Sequence, residues 1–120
     1  MDLSMVAHIF EVVGRGLLAL LFLLAGIAKV TGPAPIREHM TQEHVPTTLL
    51  LPIAAFEIAA GSALLIGWMP HLAAGALSLF CVATAVVFHR NFVVRAERTA
   101  FAKDMALAGA LAFVAARAIA

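Results

Sequence analysis

Tyrosine is absent from this 120-residue chain, tryptophan and cysteine occur once each, and only 12% of the residues are charged. Each scarcity excludes something. The lone cysteine, Cys81, rules out an intramolecular disulfide and a CxxC redox pair. With Trp68 alone and no tyrosine, any aromatic belt at a membrane interface is sparse. Eight Lys and Arg against seven Asp and Glu give a net charge of +1, so there is no basic surplus for nucleic acid. A phosphate-binding loop and a four-ligand zinc set are both missing, and no arrangement suits nucleophilic catalysis. No period of 20–50 residues repeats, and no polar linker divides the chain, so residues 1–120 read as one domain.

What remains is apolar. Hydrophobic residues make up 63% of the chain, and the mean hydropathy is +1.02. A soluble domain carries about 25% charged residues. Half that charge cannot cover a water-facing surface, so the composition predicts an integral membrane protein. Four long apolar runs follow one another, at about residues 9–30, 49–67, 72–88 and 100–116. The first lacks a basic start and carries Arg15, so it is expected to be a span and not a cleaved signal. It closes at Lys29, followed by Thr31-Gly32-Pro33-Ala34-Pro35, a strong helix stop. The polar stretch IREHMTQEHVPT, residues 36–47, fits a surface loop or a short interfacial helix. Five residues, Gly67 to His71, join the second and third runs, which must then be antiparallel neighbours. The expected fold is all-α, a polytopic membrane four-helix bundle with up-down-up-down topology. Gly61, Gly75, Ser78, Ala106 and Gly109 lie at spacings that let helix backbones approach closely.

Lysine and arginine are unevenly placed. Lys29, Arg37, Arg90, Arg95, Arg98 and Lys103 gather on the side of the first and third loops, against Arg15 and Arg117 on the other. The positive-inside rule puts loops 31–48 and 89–99 in the cytoplasm of a bacterial-type inner membrane, with both termini outside.

The second run, LLLPIAAFEIAAGSALLIG, carries one carboxylate, Glu57, near its midpoint. Nineteen helical residues span about 28 Å, close to the hydrocarbon thickness of a bilayer. An acid at that depth must be paired, neutralised or hydrated. Arg15 lies about 21 Å from the basic surface and Glu57 about 15 Å, so with about 6 Å of side-chain reach the two are expected to meet. Arg15, Phe22, Gly26 and Lys29 share one face of the first span. Two polar layers are expected: Arg15 with Glu57 at depth, and Lys29, His89 and Asp104 near the cytoplasmic end. Each residue also has a plainer reading. Glu57 is either a structural acid that holds register or a proton- or ligand-binding group. Arg15 has Glu11 as an alternative partner at i,i+4. Lys29 suits a snorkelling span end, and Asp104 complements a helix dipole. His89 is expected as an interfacial polar residue, and Cys81 as apolar packing. His39 and His44 share a loop with Glu38 and Glu43, but their spacing is not diagnostic and no metal is expected. The pattern suits a proton relay, a quinone headgroup site or an anchoring network.

Four fragments carry a family resemblance: R-x(6)-F-x(3)-G-x(2)-K at Arg15, Phe22, Gly26 and Lys29; E-x(3)-G-x(2)-L-x(2)-G from Glu57 to Gly67; His89-Arg90-Asn91-Phe92; and F-x-K-D-x-A-L-x-G from Phe101 to Gly109. In this order, on four spans, they resemble the DoxX family of small four-span membrane proteins, over about residues 14–116. The resemblance implies Arg15, Lys29, Glu57, His89 and Asp104 as family-pattern residues, with asparagine common at the last position. The family takes its name from a subunit associated with a quinol oxidase fed by thiosulfate, and other members partner membrane redox or thiol-defence proteins. It implies an accessory or small subunit of a membrane redox complex, with quinone as the candidate cofactor, rather than a self-sufficient enzyme. Expected partners are the bilayer and either a second copy or a redox protein. The competing readings are a small proton-coupled transporter, with Glu57 as coupling acid, and a structural scaffold.

Overall fold

A computed structural model describes residues 2–120. Among them, all regular elements are helical: α1 (Leu3–Val30), α2 (Ala34–Gln42), a 3-10 turn (Thr47–Leu49), α3 (Leu50–Ile66), α4 (Pro70–Phe88) and α5 (Arg95–Ile119). Four of these stretches, α1, the 3-10 turn continued by α3, α4 and α5, are long and apolar enough to cross a membrane.

Two helices begin earlier than their apolar runs. Asp2 caps α1, its carboxylate accepting from the Met5 amide at 2.9 Å, so the helix starts six residues before the predicted span. α5 starts at Arg95 instead of residue 100 because the connector folds back on itself, with Arg98 Nη1 donating to Phe92 O at 2.7 Å. Capping and polar first turns extend helices beyond what hydropathy marks.

The stops read as the residues dictate. Gly32, in the left-handed region at φ 61°, turns the chain into α2, which has proline in its first turn. Gly67, at φ 77°, ends α3 while the Trp68 amide bonds to Ala63 O at 2.9 Å. Pro70 then opens α4.

The four spans pack as two tight pairs, α1 on α3 and α4 on α5, joined through α3 and α4. Both pairs are antiparallel. Gly26 of α1 faces Ala54, Glu57 and Ile58 of α3, while Gly61 of α3 faces Ala19 and Leu23 of α1. On the other side, Ser78 Oγ donates to Ala108 O at 2.7 Å, and His89 lies beside Asp104. The topology is therefore up-down-up-down. Small residues fill much of the core: Ala19, Ala60, Ala73, Ala74, Cys81 and Ala108 pack around Phe22, Leu64, Leu77 and Leu111. Large apolar side chains such as Leu17, Leu24, Leu79 and Phe113 point outward, as lipid-facing positions do.

Of the expected close-approach residues, Gly61 and Ser78 make interhelical contacts. Gly75 and Gly109 do not: a methyl group added at either meets nothing within 4 Å. Ala106 is exposed. Small-residue spacing recurs by chance in an alanine-rich chain, and only facing geometry selects the pairs that matter. Ser78→Ala is expected to cost about 0.6 kcal/mol, the usual worth of an interhelical hydrogen bond in a membrane, read as a small fall in the unfolding midpoint in detergent.

Candidate functional site

A cavity of about 650 Å³ lies between the two helix pairs at the α2 end of the bundle. Each helix contributes to its wall: Lys29 from α1, His39 and Met40 from α2, Glu57 from α3, Thr84 and Phe88 from α4 with His89 at its C-cap, and Lys103 and Asp104 from α5. Leu21, Phe22, Ile53, Phe80 and Leu107 make the remainder apolar. α2 covers this end because its Met40 is buried and Ile36 half-buried, while Arg37, Glu38, Thr41 and Gln42 face outward. Arg90 Nη2, 3.4 Å from Glu43 Oε2, joins the end of α2 to the end of α4.

Glu57 is 2% exposed, the one buried charged side chain among the described residues. Its partner is Lys29: Nζ lies 2.6 Å from Oε1. His89 sits between two carboxylates, with Nδ1 3.1 Å from Glu97 Oε2 and Nε2 3.6 Å from Asp104 Oδ2. The second separation exceeds hydrogen-bond range, and Asp104 Oδ2 is buried without a partner. The His39 ring packs edge-on against Phe88 and His89, and its Nε2 lies 3.0 Å from Phe88 O.

Four of the five residues singled out in the sequence, Lys29, Glu57, His89 and Asp104, therefore line one cavity. Arg15 does not. The expected Arg15–Glu57 pair is replaced by Lys29–Glu57, and the reason is directional. Side chains on a helix lean toward its N-terminus. From Lys29 that lean carries the ammonium deeper, to Glu57. From Arg15 the same lean carries the guanidinium away from Glu57, to the Gly67 turn, where a Cβ added to the glycine would lie 3.4 Å from Nη2. There the charge complements the C-terminal end of the α3 dipole. The alternative partner is also taken, because Glu11 Oε1 lies 2.7 Å from Arg117 Nη2. In place of a deep and a shallow layer, the bundle has polar groups at its two ends.

Sequence reasoning passed over two members of this neighbourhood. His39 shares a polar stretch with His44, Glu38 and Glu43 in the sequence, yet its hydrogen-bond partner comes from α4, 49 residues on. Glu97 sat in a connector with no assigned role. One signal was legible: Glu97 and Asp104 are seven residues apart, which is one face of a helix once α5 is extended back to Arg95.

Chemically, the cavity presents ammonium and imidazole donors beside carboxylate acceptors, above an apolar wall. A volume between about 300 and 1,000 Å³ with a few convergent polar groups is the usual form of a small-molecule site.

Comparison with known proteins agrees with this architecture. The DoxX family model matches residues 10–90, a stretch that contains Lys29, Glu57 and His89. Inner membrane protein YqjF of Escherichia coli (strain K12) is 32% identical over 97 residues, covering 81% of this chain and 75% of the relative. No solved structure matches. With the family model matched over more than half of its length, the chain belongs to the DoxX family.

Proposed function

We propose that this protein is a small accessory subunit of an inner-membrane redox complex that holds a quinone headgroup in the cavity beside Glu57. The observation that carries the reading is the pairing of a roomy, mostly apolar cavity with the buried Lys29–Glu57 pair and the unpartnered Asp104 oxygen. A quinone offers two carbonyl acceptors, suited to the ammonium groups of Lys29 and Lys103. The quinol offers two hydroxyl donors, suited to Glu57 and Asp104. Both forms place a ring and an isoprenoid tail against apolar wall. The relative's name supports the inner-membrane assignment. The concentration of Lys29, Arg37, Arg90, Arg95, Arg98 and Lys103 at the cavity end supports a cytoplasmic position for it, with both termini on the far side. Family resemblance supports the redox partner.

The test is retention of a short-tailed ubiquinone by the purified protein in lipid nanodiscs, with a mild-detergent pulldown alongside. One equivalent of quinone is expected. Glu57→Gln or Asp104→Asn should weaken binding about tenfold or more, since a hydrogen bond to a charged group is worth about 1.5–3 kcal/mol. Arg15→Gln, at the other end of the bundle, should leave binding unchanged. Neither quinone nor a redox partner in the wild-type preparation would overturn the reading. Proton or solute flux in vesicles, lost in Glu57→Gln, would favour a proton-coupled carrier instead.

A further inference from the structure

At the cytoplasmic-side rim of the cavity lies a cluster that the quinone reading does not use. His39, His89 and Glu97 each place one donor atom within 4.8 Å of the other two. They come from three separate elements: α2, the C-cap of α4 and the first turn of α5. All three are partly buried, which separates them from the exposed acidic groups common on protein surfaces. We infer that His39, His89 and Glu97 form a binding site for a divalent transition metal of the zinc type, with a fourth position open toward the cavity.

Three features point to a ligand set and not to a bare hydrogen-bond network. The first is donor chemistry. Two imidazoles and one carboxylate with one position left over is the donor set of open zinc sites. The second is spacing. Donors at about 2.0–2.2 Å from a tetrahedral ion lie roughly 3.3–3.5 Å apart, and His89 Nδ1 is already 3.1 Å from Glu97 Oε2. The His39 donor lies within 4.8 Å of both. The third is the surrounding shell. Metal-bound histidines direct their second nitrogen at a carboxylate or a backbone carbonyl, which fixes the ring and its tautomer. Both histidines have such a partner. His89 Nε2 faces Asp104 Oδ2 at 3.6 Å, and that oxygen lacks any other partner. His39 Nε2 lies 3.0 Å from Phe88 O. A contraction of a few tenths of an ångström on metal binding would bring Asp104 into hydrogen-bond range of His89, satisfying the orphaned oxygen. The carboxylates of Glu97 and Asp104 together balance the charge of a divalent ion.

The site shares Asp104 with the quinone reading but needs no quinone to form, so failure of the quinone assay leaves it standing. Cobalt(II) is the probe, because four-coordinate cobalt absorbs visibly, and zinc(II) is the competitor. The full chain in detergent, purified with a tag that contains no histidine, is titrated with each. One equivalent of cobalt with a four-coordinate spectrum, displaced by zinc, is expected. Asp104→Asn should weaken binding by about 10- to 100-fold through His89. His39→Ala and Glu97→Gln should weaken it at least as much, while His44→Ala and His71→Ala leave it unchanged. Zinc should also raise the unfolding midpoint of the wild type but not of Glu97→Gln. Absence of a saturable one-to-one signal in the wild type overturns the proposal, whatever the variants do. So does a His44→Ala loss equal to that of His39→Ala.

Discussion

Lys29→Ala is expected to destabilise the bundle by about 3–5 kcal/mol, the range for removing one partner of a buried ion pair. Glu57 is 2% exposed and Lys29 Nζ, at 2.6 Å, is its only cationic partner among the described residues. Without Lys29 the carboxylate is left in an apolar helix interface with nothing opposite its charge. The double variant Lys29→Met with Glu57→Gln should recover most of the loss, because it removes both charges and keeps the volume. Similar replacements of buried ion pairs are neutral or stabilising elsewhere. Reversible unfolding in mixed micelles measures each corner of the cycle, and a coupling of several kcal/mol between the two sites is expected. A single-variant loss below about 1 kcal/mol, within the range of an exposed pair, would show that water or headgroups already satisfy Glu57. It would also remove the basis for reading Glu57 as a buried group that needs a partner.

Gly26→Val is expected to separate α1 from α3 and to abolish quinone retention. Even the first carbon of a side chain at Gly26 lies 2.7 Å from Ile58 Cγ1, 3.0 Å from Ala54 O and 3.2 Å from Glu57 Cβ. The first of these atoms can rotate away. The second is backbone and moves only with the helix. Overpacking of this kind costs about 1–3 kcal/mol for one added group, and valine adds two methyls beyond the Cβ. Because Glu57 is among the three contacts, the displacement reaches the carboxylate directly. Gly75→Ala and Gly109→Ala serve as controls. A Cβ there meets nothing, and alanine is the better helix former by up to about 1 kcal/mol in water. Unfolding midpoints should therefore fall for Gly26→Val and hold or rise for the controls. Equal effects at all three glycines would mean that the close crossing at Gly26 is not what sets the α1–α3 distance.

Much of the site could be read before any coordinates. A lone acid inside nineteen apolar residues demanded a partner, and Lys29, His89 and Asp104 could be placed near one end by counting residues along each span. Depth counted at Cα does not separate Arg15 from Lys29, because it treats side-chain reach as equal in both directions along the helix. Helical side chains lean one way, and over a long arginine or lysine that lean decides which end of the helix the charge serves. His39 and Glu97 were harder still. Their neighbours in space are 49 and 8 residues away in the chain respectively, and no local spacing encodes a contact between an interfacial helix and the end of a span two spans later.

Composition and apolar run length by themselves determined that the chain crosses a membrane four times, where the helices stop, and that Glu57 needs a cationic partner. These follow from local physics: the cost of bare backbone and charge in lipid, and the limits that Gly and Pro place on a helix. The tertiary structure alone decided that Lys29 is that partner, that Arg15 serves the opposite end, that Gly26 and Gly61 mark the closest crossing, and that two histidines and a glutamate converge at the cavity rim. Each of these depends on the rotation and register of one helix against another. Those are settled by packing among many small side chains at once, which a single alanine-rich sequence leaves degenerate.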